Sequence, residues 1–312
     1  MTAMTGKRTT PTDRGLRRDT SRLQTEVAAA MDGDSWAILP TATDHVKHRL
    51  YDGASLRHCC LLLAEIEQAA KQHLEMAVRI LGRAHIEAWL FGLYLHFGGY
   101  PALERIAQDT HASTITTYEE FRSFDAQLRS DKRKAEKRLV AVRKTNDGRA
   151  RWNTDNPDKS PKPMLDEPYV PRLRESGIDL ASRIGDFAGL KPATLPVSVV
   201  VDALTKLAPK EGFGRESFRP VYQIYRLVSA VGPHPTLHLY DWYLCPGGFV
   251  RIAPEPGGPS MINPTRISAL YSTAFLAEWV LSSSGCETPI ATEVRQRYEA
   301  NPDGSAGWAP GS

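Results

Sequence analysis

Two arginines and a glutamate stand out among apolar neighbours: Arg79, Arg83 and Glu87, spaced i, i+4, i+8 in HLEMAVRILGRAHIEAWLFGLYLHF. Residues four apart share a helix face, so Glu87 can lie against Arg83. At an exposed position such a pair is worth only ~0.3–0.5 kcal/mol. Among leucines and aromatics a charge requires a partner. Two readings follow. The three residues form a buried ion pair that sets helix register, or an arginine points into a cleft to receive a phosphate or carboxylate, with Glu87 holding it.

A second group lies in YQIYRLVSAVGPHPTLHLYDWYL. Tyr222, Tyr225, Arg226 and Ser229 are neighbours near one helix end, and His234 follows the Gly232–Pro233 break. If a helix restarts at Pro235, His238 and Asp241 share a face with His234, a set that could ligate a metal. The same His234 could instead cap the restarting helix. It could also move a proton beside an anion held by Arg226, since histidine titrates near neutral pH. No metal or cofactor is expected.

The third group is a run of charge. Between Arg122 and Arg151 eleven lysines or arginines face four acids, a local balance of +7 with Lys132, Arg133 and Lys137 at its middle. The whole chain carries 39 basic and 36 acidic residues, net +3, so the remainder sums to −4. A basic helix can follow a nucleic-acid backbone, with Trp152 at hand for stacking; the plainer alternative is a solvated helix face.

Several chemistries are excluded by what is missing. There is no G-x4-G-K-[ST] phosphate loop, no H-E-x2-H and no G-x-S-x-G elbow, and EGFGRES follows no strand. Strand and helix signals do not alternate, which argues against doubly wound and barrel enzymes. The four cysteines, Cys59, Cys60, Cys245 and Cys286, include no C-x2-C pair and make no disulfide framework. No apolar leader opens the sequence, and the longest uncharged stretch, 88–103, has sixteen residues where a membrane span needs ~20. The expectation is a cytoplasmic protein with reduced thiols and no membrane contact.

The elements that must position these groups are helices. With 41% hydrophobic residues in 312, the chain can build a core without a staple. Leu56, Cys60, Leu63, Ile66 and Ala70 step by three or four along one face. The stretch to Phe97 is apolar on more than one side, the mark of a buried helix, and Gly98–Gly99 with Pro101 beyond reads as its stop. Around 118–144, Phe121, Leu128, Ala135 and Val142 recur every seven residues, but Asp125 and Lys132 occupy the companion position. That pattern predicts a long helix in an antiparallel hairpin rather than a coiled coil. From 145 to 171 prolines and charges predict a loop. Helices are predicted again over about 171–187, 196–207 and 215–231, and Asn263–Pro264 predicts an N-cap for a last core helix to about 283. The fold class is all-α, a multi-helix bundle or orthogonal array with at most one short hairpin near PGGFVRIAPEPGGPSMI. Its layout is a flexible polar tail over 1–40, one helical domain over 41–285 and a C-terminal helix or tail over 286–312.

The segments RAHIEAWLFGLYLHFGG, the basic helix and YRLVSAVGPH together resemble a bacterial group of helical proteins of unknown function. Such proteins pair an Arg-x3-Glu helix with a later Tyr-Arg-x2-Ser and a following His. This group is similar to the HEPN superfamily of helical nucleotide-binding and RNA-cleaving domains, and the resemblance covers about residues 54–245. In HEPN ribonucleases an Arg-x(4–6)-His motif forms a composite site across a dimer and cuts RNA without metal. The resemblance implies Arg226 on the scissile phosphate and His234 moving the proton, with Arg79, Arg83, Glu87, Tyr225, Ser229, Lys132, Arg133 and Lys137 binding substrate. Seven residues separate Arg226 from His234, outside the family spacing. Arg79 and His85 meet the spacing but fall on different faces of one helix. The expected function is therefore a nucleic-acid-associated protein, a metal-independent ribonuclease of a defence or stress system acting as a homodimer. The alternative is a non-catalytic helical module that binds a protein partner and uses Arg83, Glu87, Arg226 and His234 as a buried polar network.

Overall fold

A computed structural model of the chain describes residues 12–32, 36, 44–171, 189–207, 225, 244–245, 251–252 and 260–299. Of these residues 82% are helical, and the fold is all-α. Six helices are described: α1 (Asp13–Met31), α2 (Asp44–Lys71), α3 (Glu75–Asp155), α4 (Val197–Leu207), α5 (Ile262–Ser283) and α6 (Pro289–Glu299). One minimal antiparallel pair joins β1 (Leu244–Cys245) to β2 (Arg251–Ile252), with Leu244 opposite Ile252. Where a single domain over 41–285 is the sequence expectation, the described residues divide into two compact units. One holds those up to Glu104 and from Leu195 onward, and the other is Arg105–Thr194.

In the first unit α5 is the central helix, with buried positions along it from Thr265 to Leu281 and a half-buried face through Tyr271, Glu278 and Trp279, and α1, α2 and α6 pack against it. Residues 13–31, expected within a flexible tail, instead form α1. Thr12 caps it by accepting the Gly15 N–H at 3.1 Å, and Leu16, Leu23 and Val27 are buried. Their spacing of seven and four puts three apolar side chains on one face of an otherwise charged helix, enough to dock it. On α2 the predicted stripe Leu56, Cys60, Leu63, Ile66 and Ala70 is buried throughout. His73, at φ 56°, then breaks the chain before Glu75, and the Leu74 N–H closes on Ala69 O at 3.0 Å.

The first turns of α3 bury Val78, Ile86, Trp89, Leu90 and Leu93, as the all-round apolar pattern predicts, and Trp89 meets Phe275 of α5 edge-on at 6.3 Å. The glycine pair does not stop this helix. Gly99 takes φ 58° and ψ −143°, a left-handed geometry that suits glycine, and helix resumes on its far side through Pro101. Gly98 allows the Ala102 methyl to come close.

The second unit is built on the remainder of α3, helical to Asp155 and so eleven residues into the segment predicted as loop. Residues 156–171 follow without regular structure. Positions 125, 128, 132, 135, 139, 142, 146 and 149 form a half-buried stripe while, Ser130 and Asp131 apart, the residues between them are exposed. From residue 125 on this follows the predicted seven-residue repeat with Asp125 and Lys132 included, whereas Phe121, its expected first member, is exposed. At α5, Asn263 does not act as N-cap. Met261 holds that position without a side-chain cap, and its N–H is taken by Glu75 Oε1 from α3 at 2.6 Å.

Candidate functional site

The arginines of α3 separate into two settings. Arg79 is buried and donates through Nε to Glu75 Oε1 at 2.9 Å, one turn earlier, not toward Glu87. Burial lowers its pKa from the ordinary arginine value, against the opposing pull of the Glu75 bond. Glu75 also accepts from Ser260 Oγ at 2.9 Å and from the Met261 N–H, so the pair ties the start of α3 to the start of α5. Arg79 thus fits the register-setting reading.

Arg83 and Glu87 meet through Tyr225. The Arg83 guanidinium lies over the Tyr225 ring, 5.5 Å from its centroid, and Nη2 reaches the phenol oxygen at 3.5 Å. The phenol in turn donates to Glu87 Oε2 at 3.3 Å. Sequence spacing brings Arg83 and Glu87 onto one face; the third member, 138 residues beyond Glu87, joins them in space. The tyrosine accepts from the cation and donates to the carboxylate, so each charge has a neutral hydrogen-bonding partner. Arg226, Ser229, His234, His238 and Asp241 lie outside the described residues.

His85, one turn before Trp89, is buried and has its Nε2 2.8 Å from Thr273 Oγ1, with Ser272 Oγ 3.5 Å from Nδ1. Burial, with a smaller push from His58, lowers its pKa from the usual 6.5 to about 3. It is a neutral helix-to-helix connector at ordinary pH. His96 Nδ1 meets Asp52 Oδ2 at 2.9 Å beneath the rings of Phe97 and Trp279, while Asp52 Oδ1 has no partner among the described residues. The neighbouring Ser55 hydroxyl donates to the Asp52 carbonyl, not to the histidine, so no nucleophile–base pair exists there. Cys59 and Cys60 are buried and carry no disulfide; burial pushes both thiols up, Cys60 to about 12, leaving them unreactive.

One polar centre escapes the sequence reading. Arg266, almost wholly buried on α5, makes a fork to Glu67 of α2 (Nε–Oε1 2.7 Å, Nη2–Oε2 2.6 Å) and reaches Asp13 of α1 at 2.6 Å. Asn263, freed from capping, accepts from the same guanidinium at 3.2 Å. The signal was present: a lone arginine opening an apolar helix needs a partner as much as Arg79 does. Nearby, Glu26 of α1 caps α6 by accepting the Ile290 and Ala291 N–H groups at 2.7 and 2.8 Å. These contacts locate stability in the first unit rather than an open site.

The second unit presents charge. Arg129, Ser130, Arg133, Lys134 and Lys137, with Ala126, line a shallow groove along α3 that holds no acid. Arg129 is paired with Asp125 at 2.7 Å and Lys134 lies 3.7 Å from Asp131, whereas Arg133 and Lys137, one turn apart, are exposed and make no ion pair among the described residues. Lys132 departs from the expectation that groups it with them. It falls on the sheltered stripe, 3.8 Å from Glu136. Trp152 is not an open stacking face either, since Lys162 Nζ lies 4.2 Å and Lys159 Nζ 5.9 Å from its ring centroid.

Fold and site thus define an all-α protein with a tightly paired polar core in one unit and an exposed cationic groove in the other. No family model matches the chain, and no curated protein or solved structure matches it. Among the described residues no group of three or more metal-ligating side chains occurs, and no helix is long and apolar enough to cross a membrane.

Proposed function

We propose that this protein binds nucleic acid through the basic groove of α3. The observation that carries the reading is the pair Arg133 and Lys137, exposed, one helical turn apart and without acidic partners among the described residues, in a groove that Arg129 and Lys134 extend. Such a row, laid along a strand, displaces the cations condensed on its phosphates, a favourable term that needs no base contact. RNA is the favoured substrate because the sequence resembles HEPN domains. In that reading a second copy completes a metal-independent site, with Arg226 on the phosphate and His234 transferring the proton. The Arg83–Tyr225–Glu87 group supports a positioning role, holding Tyr225 against α3. The non-catalytic module remains the second reading, favoured by the paired state of Arg79, Arg83 and Glu87.

The test is binding of labelled single-stranded and duplex RNA to the full chain, followed by anisotropy. Arg133→Glu with Lys137→Glu is expected to weaken binding by at least about tenfold, while Lys71→Glu on α2 leaves it unchanged. Equal affinity in the double variant refutes the groove. Cleavage is read separately, with chelator present, against His234→Ala; loss in that variant supports the nuclease, and no cleavage by the unaltered chain favours the module.

A further inference from the structure

The end of α3 holds the segment that follows it by a repeated contact. Asn146 donates through Nδ2 to Leu165 O at 2.9 Å and accepts the Leu165 N–H on Oδ1 at 2.8 Å. Two turns on, Asn153 does the same to residue 162, donating to Lys162 O at 3.1 Å and accepting its N–H at 2.8 Å. Between the two rungs Arg149 donates to Pro163 O, and beyond them Arg143 forks onto the Glu167 carboxylate at 2.9 and 3.0 Å. The spacings match for a physical reason. Seven helical residues rise about 10.5 Å, and three extended residues cover about 9–10 Å. Each asparagine therefore meets a residue of the strap in the same orientation.

What α3 reads is main chain. Four bonds go to peptide N–H and C=O groups through the asparagines and a fifth goes to a prolyl carbonyl, while the Met164 and Leu165 side chains stay exposed. Side-chain selection is confined to the carboxylate on Arg143 and the lysine ammonium over Trp152. Pro161 and Pro163 supply what such a reader needs, a chain already extended and with little entropy left to lose.

We propose that the Arg143–Asn153 face of α3 is a docking surface for extended, proline-spaced peptides, with residues 162–167 as its resident occupant. The partner it fits is a peptide of another protein with a lysine at one position, an available N–H three residues on and a carboxylate two further. Such a peptide displaces the strap. This surface is independent of the nucleic-acid groove, and neither proposal requires the other.

The experiment uses the full chain carrying Lys162→Pro, Leu165→Pro and Glu167→Arg. These changes remove both amides given to the asparagines and reverse the charge facing Arg143. A fluorescent peptide of residues 159–169 is titrated into it. Saturable binding is expected, weakened about tenfold or more by adding Asn146→Ala and Asn153→Ala, or by N-methylating the two peptide amides. Alanine in place of the peptide's methionine and leucine leaves binding nearly unchanged. The unaltered chain binds the peptide more weakly, because its tethered strap competes at an effective concentration on the order of millimolar. Alanine favours helix, so the asparagine variants keep α3, as circular dichroism verifies. No saturable binding, or binding indifferent to both asparagines, overturns the proposal.

Discussion

Replacing Arg266 by methionine removes the one cation that three surrounding acceptor side chains share. The two carboxylates are unequal. Glu67 is largely buried, its side chain 13% exposed, and it receives both arms of the fork, whereas Asp13 is 54% exposed. Burial alone would lower the arginine's pKa; the bonds to Glu67 and Asp13 outweigh it and raise the pKa above the ordinary value. Taking away one partner of a buried pair leaves the other charge stranded, a loss of about 3–5 kcal/mol. For a cooperative unit of this size that corresponds to roughly 6–20 °C in Tm. Asp13→Asn, by contrast, touches a solvated contact and costs less than ~1 kcal/mol. The double change Glu67→Met with Arg266→Met returns to within ~1–2 kcal/mol of the parent, since the stranded charge is gone. Urea unfolding followed by circular dichroism, with comparable slopes, measures all three. A cost below ~1 kcal/mol for Arg266→Met, or an equal cost for Asp13→Asn, refutes the assignment of Arg266 and Glu67 as the hub joining α2 and α5.

His85 gives a pH dependence. Its folded pKa, near 3, lies below the unfolded 6.5, so the unfolded chain binds the extra proton first. Its contribution is intact above about pH 6.5 and declines by up to ~1.4 kcal/mol per unit as pH falls toward 3. Urea midpoints at pH 7, 6 and 5 should fall less steeply for His85→Gln than for the parent, and parallel lines would disprove the buried neutral state. Gly82→Ala sets two effects against each other. Helix propensity favours alanine by up to ~1 kcal/mol, but the added methyl overlaps the Thr265 methyl group. Overpacking costs ~1–3 kcal/mol and should win. Adding Thr265→Ser removes that methyl and should restore the thermal midpoint, and failure to do so removes this contact as the cause.

Much of the first unit was legible because its helices bury continuous stripes. The α2 positions and the all-round apolar start of α3 are read directly from periodicity. Most of the differences come from partners distant in sequence, which local signals do not show. Asn263 has the sequence of a cap, yet the helix opens before it at Ile262, Glu75 accepts the Met261 N–H and Asn263 accepts from the Arg266 guanidinium. Arg79 pairs with Glu75, one turn earlier in α3, and Glu75 in turn reaches the entry to α5. The charged composition of α1 hides three core residues that packing against α5, α6 and α2 makes apolar in context. Residues 145–155 have loop composition, but Asn146, Arg149 and Asn153 are half-buried helix positions occupied with the strap. Of the site, Arg83, Glu87 and Tyr225 were each legible as candidates, while their meeting was not. Arg133 and Lys137 were legible from charge count alone; which neighbours share their groove depends on helix phase.

The most direct test of nucleic-acid binding is the salt dependence of single-stranded RNA affinity. If Arg133 and Lys137 each neutralise one phosphate, removing both with Arg133→Gln and Lys137→Gln lowers the magnitude of the slope of log Kobs against log salt by about 1.4. The slope should stay at the parent value for Lys71→Gln. An identical slope in the parent and the double variant, or parent affinity that does not change with salt, contradicts the account.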